Sequence, residues 1–225
     1  MLKQESGNNI MDKLRNKLSI WLLMLVVNLS KVNHKAGIKT DGCFRTFTRK
    51  KFNILNPTFE MIDIVDIAKG LAYKPHFSGF SPKFFSVAEH CLLVEEHVKN
   101  YHGEDNYKLR LHALLHDASE AYTGDMIKPI KNLLPNFVII EKRIQRKIFK
   151  KYEIVPKENE ATIKYFDNKV QDIEAGVFYE TMDIDYKILY EEYFIKYLTP
   201  DEAYKEFIDR FNYLVNMISG KEAKK

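Results

Sequence analysis

Beyond residue 56 the chain is patterned almost throughout at helical spacing, and that pattern decides its fold class. Apolar residues recur three and four apart in 62–71, 86–98, 107–122, 137–152, 158–183, 184–196 and 201–218. No convincing alternating strand interrupts these segments, and no internal repeat is present. Upstream, Phe44 to Phe52 alternates enough for a short strand or an extended arm, and Asn56-Pro57 marks a turn. Lys74-Pro75-His76-Phe77-Ser78-Gly79-Phe80-Ser81-Pro82-Lys83 is a loop, with two prolines and a glycine. Ser86 can cap the next helix, with Glu89 three residues on as in a capping box. The expected fold is all-α, a compact helical bundle with a short N-terminal extended arm.

The length, 225 residues, suits one domain with terminal additions. Residues 1–42 read as an extension, 43–220 as the domain and 221–225 as a disordered tail. Lys13, Arg15 and Lys17 precede an apolar run from Ile20 to Val27. That run is far shorter than the roughly 20 apolar residues a spanning helix needs. The expectation is an amphipathic or disordered extension. A membrane-surface anchor and a signal peptide are the alternatives, although no Ala-x-Ala-like site follows. A net charge of +4 without a basic block argues against a nucleic-acid polymer as partner and leaves small anions open. Cys43 and Cys91 lack zinc or redox spacing and read as reduced thiols of a cytoplasmic protein.

The residues able to do chemistry are few. In Leu114-Leu115-His116-Asp117-Ala118-Ser119-Glu120, helical spacing puts His116, Asp117 and Glu120 on one side. Leu111, Leu114, Leu115, Ala118 and Tyr122 form the opposite apolar stripe. By itself such a polar face is more often simply solvated. His90 changes the balance, because it lies inside the stripe of Val87, Cys91, Val94 and Val98, as does His97. A histidine facing a core is either hydrogen-bonded or bound to something. In 158–183 the stripe is Ile163, Phe166, Val170, Ile173 and Val177. Asp167 and Glu174 project at its edge, and Asp172 projects to the polar side. A carboxylate turned inward needs a cation, either a metal or a Lys or Arg. Two imidazoles and two carboxylates suit one divalent metal ion (Co, Mn, Zn, Mg or Fe) with open positions for water and substrate. Glu120 would then orient or deprotonate the attacking water.

These residues resemble the HD-domain metal-dependent phosphohydrolases. The likeness rests on Ser86-Val-Ala-Glu-His90, on His116-Asp-Ala-Ser-Glu-Ala-Tyr-Thr-Gly-Asp125 and on Ile127-Lys-Pro-Ile-Lys131. It is nearest to the bacterial 5′-deoxynucleotidases and related phage and bacterial hydrolases, and extends over about 44–216. The resemblance implies His90, His116, Asp117 and Asp167 as metal ligands, with Glu174 seven residues after the last. It implies Glu120 as the catalytic acid/base and Asp125 as a neighbour that holds substrate or water. Lys128 and Lys131 would lie near the rim. The loop before Ser86 departs from the pattern: His76 stands where relatives carry an arginine, and Gly79-Phe80 where they carry Gly-His. His76, Lys74 or Lys83 would then supply weaker substrate anion contacts.

The expected activity is hydrolysis of the 5′-phosphate of deoxynucleoside monophosphates. A dNTP triphosphohydrolase is the alternative within the class, and a non-catalytic nucleotide-binding HD scaffold the alternative outside it. Relatives are often homodimers.

Overall fold

A computed structural model describes residues 41–179 and 195–222. The expected 184–196 helix and the expected extension at 1–42 therefore fall almost wholly outside the described residues, as does the end of 158–183. From Gly42 on, the described residues belong to one compact unit. It is all-α apart from a two-stranded antiparallel hairpin, β1 (Cys43–Arg45) and β2 (Lys51–Asn53), in which Phe44 faces Phe52. The expected arm is this hairpin. Thr48 ties its turn to the first helix, α1 (Ile64–Ala72), by donating from its amide and hydroxyl to Asp66, both at 2.7 Å. Lys50 pairs with the α1 cap, Asp63, at 2.7 Å.

The remaining helices are α2 (Val87–His102), α3 (Tyr107–Leu114), α4 (Glu120–Thr123), α5 (Lys128–Leu133), α6 (Pro135–Lys151), α7 (Pro156–Phe178) and α8 (Pro200–Glu222). Helix α8 runs past the expected domain end at 220 and takes in the first two residues of the expected tail. Among the described residues, no helix is long and apolar enough to cross a membrane.

Helix α2 is the centre of the unit. Val87, Ala88, Cys91 and Leu92 pack into a core shared with α1, α3, α6 and α8. Leu93, Val94 and Val98 pack into a second core shared with α3 and α7. A helix buried on nearly every side must find partners for each polar residue it carries. Glu89, His90 and Glu95 are such residues, at 3%, 0% and 0% exposure. Ser86 caps α2 by accepting the Glu89 amide at 3.1 Å. The Glu89 carboxylate does not close the expected capping box. It accepts the amides of Lys196, Tyr197 and Leu198 at 2.8–2.9 Å instead.

The expected continuous helix over 107–122 is broken. Helix α3 ends at Leu114, and 115–119 proceed in tighter turns: Ala118 N–H donates to Leu115 C=O at 3.1 Å and Glu120 N–H to Asp117 C=O at 2.9 Å. Gln145 of α6 explains how the break is tolerated. Its amide nitrogen donates to Leu115 C=O and its amide oxygen accepts Ser119 N–H, both at 2.7 Å. Backbone groups that a regular helix would pair internally are thus satisfied from a neighbouring helix. Leu111, Leu114, Leu115 and Ala118 are buried as the apolar stripe requires. Gly70 lets α1 lie close against this segment, since a Cβ there would fall 2.9 Å from Ala121.

Candidate metal centre

Three parts of the fold bring the expected ligands together. Helix α2 supplies His90, the turn after α3 supplies His116 and Asp117, and α7 supplies Asp167. One ligating atom from each lies within 4.8 Å of all the others. His90 Nε2 is 3.3 Å from Asp167 Oδ1 and 3.9 Å from Asp117 Oδ2. His116 Nε2 is 3.2 Å from Asp117 Oδ2 and 3.6 Å from Asp167 Oδ1.

The other ring nitrogens decide which atoms face the centre. His90 Nδ1 is 2.9 Å from Glu174 Oε1, and His116 Nδ1 is 2.8 Å from Ala113 C=O. A carbonyl can only accept, so His116 carries its proton on Nδ1, and the carboxylate favours the same tautomer in His90. The Nε2 lone pairs of both rings then point inward. Both Nε2 atoms are buried and make no hydrogen bond. Buried polar atoms are seldom left so, and an imidazole ordered through one nitrogen toward a carboxylate or carbonyl is the usual outer support of a metal ligand. These four residues could hold a metal ion, and the donor set fits a first-row divalent one.

The electrostatics agree. Burial disfavours charge on His116, yet Asp117 and Asp167 lift it well above the ordinary imidazole range. Burial likewise opposes charge on His90, which Glu174 and Asp167 raise. Against the same burial, the His116 and His90 rings hold Asp117 down to about 2 and Asp167 lower still. The pocket therefore favours positive charge between its carboxylates, whether carried by protons or by an ion.

Asp167 is 5% exposed and Asp172 is exposed, so the inward carboxylate is the one that periodicity selects. A protein cation meets it as well: Lys164 Nζ lies 2.6 Å from Asp167 Oδ2, while Oδ1 faces the two imidazoles and accepts Gln171. Because Lys164 is 60% exposed, its pairing is a weak tie, worth ~0.5 kcal/mol. Asp172→Ala is expected to leave metal binding within about twofold of wild type, whereas Asp167→Ala removes it. Equilibrium dialysis against Mn²⁺ checks both, and the reverse pattern would overturn the ligand assignment.

Glu120 begins α4 one turn past Asp117, with one carboxylate oxygen buried and unbonded. Burial, Asp117 and Asp125 raise it well above the ordinary carboxylate range, and Lys131 opposes them. Lys131 lies 3.4 Å from Glu120 and 2.8 Å from Glu141 of α6. Asp125 follows the left-handed Gly124 that ends α4 and lies 3.1 Å from His76 Nδ1. His76 is itself buried, at 6% exposure, with its Nε2 3.5 Å from Glu174. Burial alone would depress it, but Asp125 and Glu174 raise it to about 10.

Lys83 and Lys128 are not drawn into this group. Both are exposed, and the Lys83 ammonium sits 4.7 Å from the Tyr197 ring centre. His97 accordingly belongs to its own helix, with Nδ1 2.9 Å from Leu93 C=O. Cys91 is buried, and burial pushes its thiol up to about 11. Gln145 and Glu141 went unnoticed in the sequence. Each is a single polar residue in an ordinary amphipathic helix, and nothing in its spacing marks it.

No family model matches the chain. Over 176 residues it is 32% identical to the uncharacterized protein YfdR of Escherichia coli (strain K12), an alignment that covers 75% of this chain and 93% of that protein. The chain therefore belongs to the family of YfdR. An uncharacterized protein of Rhodobacter capsulatus is 43% identical over 89 residues, which is 39% of this chain and 45% of that protein.

Proposed function

We propose that the chain is a divalent-metal-dependent phosphohydrolase acting on nucleotides, with the 5′-phosphate of deoxynucleoside monophosphates as its expected target. The carrying observation is the convergence of His90 Nε2, His116 Nε2, Asp117 and Asp167, with both Nδ1 atoms already engaged elsewhere. The resemblance of the surrounding motifs to HD-domain hydrolases supports the same reading.

In this reading His90, His116, Asp117 and Asp167 hold the ion. A divalent ion so held makes water a stronger nucleophile at neutral pH and neutralises charge on a phosphoryl oxygen. Glu120 moves the proton. A carboxyl raised by burial and by neighbouring carboxylates can take a proton from the attacking water and return it to the leaving oxygen. Lys131 sets how far that rise goes and, with Glu141, fixes where Glu120 sits. Gln145 holds both ends of the turn that carries His116 and Asp117.

The test is phosphate release by the purified protein from dNMPs and dNTPs, with Mn²⁺ or Co²⁺ and then with EDTA. Release from dAMP that EDTA stops supports the reading. Triphosphate released from dATP would move the substrate to the alternative of the same class. No release from any nucleotide with any of these metals would leave a nucleotide-binding scaffold. Within an active enzyme, Glu120→Gln is expected to keep the metal and lose roughly 10²–10⁴-fold in kcat. Wild-type kcat in that variant would remove Glu120 from the proton transfer.

A further inference from the structure

We propose that His76 is a positioning residue of the metal centre: it holds Glu174, and through Glu174 the His90 ring, and joins the 74–85 loop to that centre. The proposal rests on the reading of His90, His116, Asp117 and Asp167 as metal ligands, and is independent of which substrate is cleaved. Its grounds are positional. His76 lies flat against His90, with ring centres 4.5 Å apart and planes 28° apart. Both its ring nitrogens face carboxylates: Nδ1 is hydrogen-bonded to Asp125 at 3.1 Å, and Nε2 lies 3.5 Å from Glu174 Oε2, an approach of charge without a hydrogen bond. Glu174 is fully buried and its other oxygen already receives His90 Nδ1 at 2.9 Å. One carboxylate is thus shared between the loop histidine and the ligand histidine.

The loop is built to hold that placement. His76 N–H donates to Phe85 C=O at 2.8 Å, and Val87 N–H donates to Lys74 C=O at 3.1 Å, so the loop is closed at its base. Phe77 and Ser78 then take left-handed backbone conformations that cost L residues free energy. The Phe77 ring meets His76 edge-on and packs on Phe178 and Tyr179 at the end of α7. A histidine turned out to touch phosphate would leave Glu174 and Asp125 without this partner. The loop therefore supports the ligand set.

The test is Co²⁺ binding, read by titration and by the visible absorption of the bound ion, with no substrate present. His76→Ala is expected to lower Co²⁺ affinity roughly 10–100-fold, as loss of an outer partner of a ligand does, and to change the absorption spectrum. His76→Gln, whose amide nitrogen can still reach Glu174, should recover most of the affinity, and His76→Asn, which reaches only toward Asp125, should not. If His76→Ala fails to fold, the Gln and Asn variants carry the same comparison. Wild-type Co²⁺ affinity and spectrum in His76→Ala or His76→Asn would overturn the proposal. So would a second Co²⁺ equivalent that disappears in any of these variants, since His76, His90 and Glu174 would then be ligands of their own ion. Loss of the phosphohydrolase reading leaves this test unaffected, because no turnover is measured.

Discussion

His116→Ala is expected to abolish metal-dependent phosphate release while leaving the helical fold intact. The His116 ring supplies one of the two buried Nε2 atoms of the centre, and its Nδ1 only closes a local contact to Ala113. Removing it therefore deletes a ligand while the backbone of its turn stays held by Gln145. The loss in metal affinity should exceed the roughly 10–100-fold that removal of an outer partner costs. Asp117 and Asp167 would also lose the imidazole that holds their carboxyls down, so at low metal they should repel each other and bind protons more readily. Far-UV circular dichroism and Mn²⁺ dialysis on the same sample separate the two effects. An unfolded variant, or one that still releases phosphate in an EDTA-sensitive way, would count against the assignment.

Glu95→Ala is expected to give the largest loss of stability. Glu95 of α2 is fully buried and accepts Arg110 Nε of α3 at 2.6 Å, and Arg210 of α8 pairs with its second oxygen. Arg110 is 2% exposed and otherwise donates only to Glu104 C=O among the described residues. Removing the carboxylate leaves a buried guanidinium without its counter-charge, a change that costs about 3–5 kcal/mol. At about 2–4 °C per kcal/mol for a chain of this size, Tm should fall by about 6–20 °C. Lys205→Ala is the control. Its pair with Asp209 is exposed on both sides, and Tm should move by no more than about 2 °C. Helix α2 also carries His90, and α3 leads directly to His116, so this buried pair fixes the spacing of two candidate ligands as well. Equal Tm changes in the two variants would mean that the buried pair contributes no more than a surface one.

Much of the candidate site was legible because its signals are periodic. His90 interrupts an apolar stripe, and Asp167 rather than Asp172 falls at the edge of another. Both inferences need only 3.6-residue spacing, and both residues are buried. The same spacing misled at 115–119, where Gln145 stabilises a backbone break that local pattern cannot reveal. A side chain arriving from α6 is a tertiary fact with no trace in the segment it holds. The burial of His76 is hidden from the sequence for a related reason. A histidine between Pro75 and Gly79 has the local chemistry of an exposed loop. Its burial comes from closure of the loop onto α2 and from the packing of Phe77 on α7. Glu89 reads as a capping-box residue by position, but the carboxylate reaches across to 196–198, more than a hundred residues away.

The central claim is that His90, His116, Asp117 and Asp167 hold one divalent ion. Its most direct test is Mn²⁺ stoichiometry by equilibrium dialysis, on the wild-type chain and on a His116→Ala/Asp167→Ala double variant of matched helical content. The account requires one ion per wild-type chain and none at the same free Mn²⁺ in the double variant. A wild-type chain that binds no ion, or a double variant that still binds one, would contradict it.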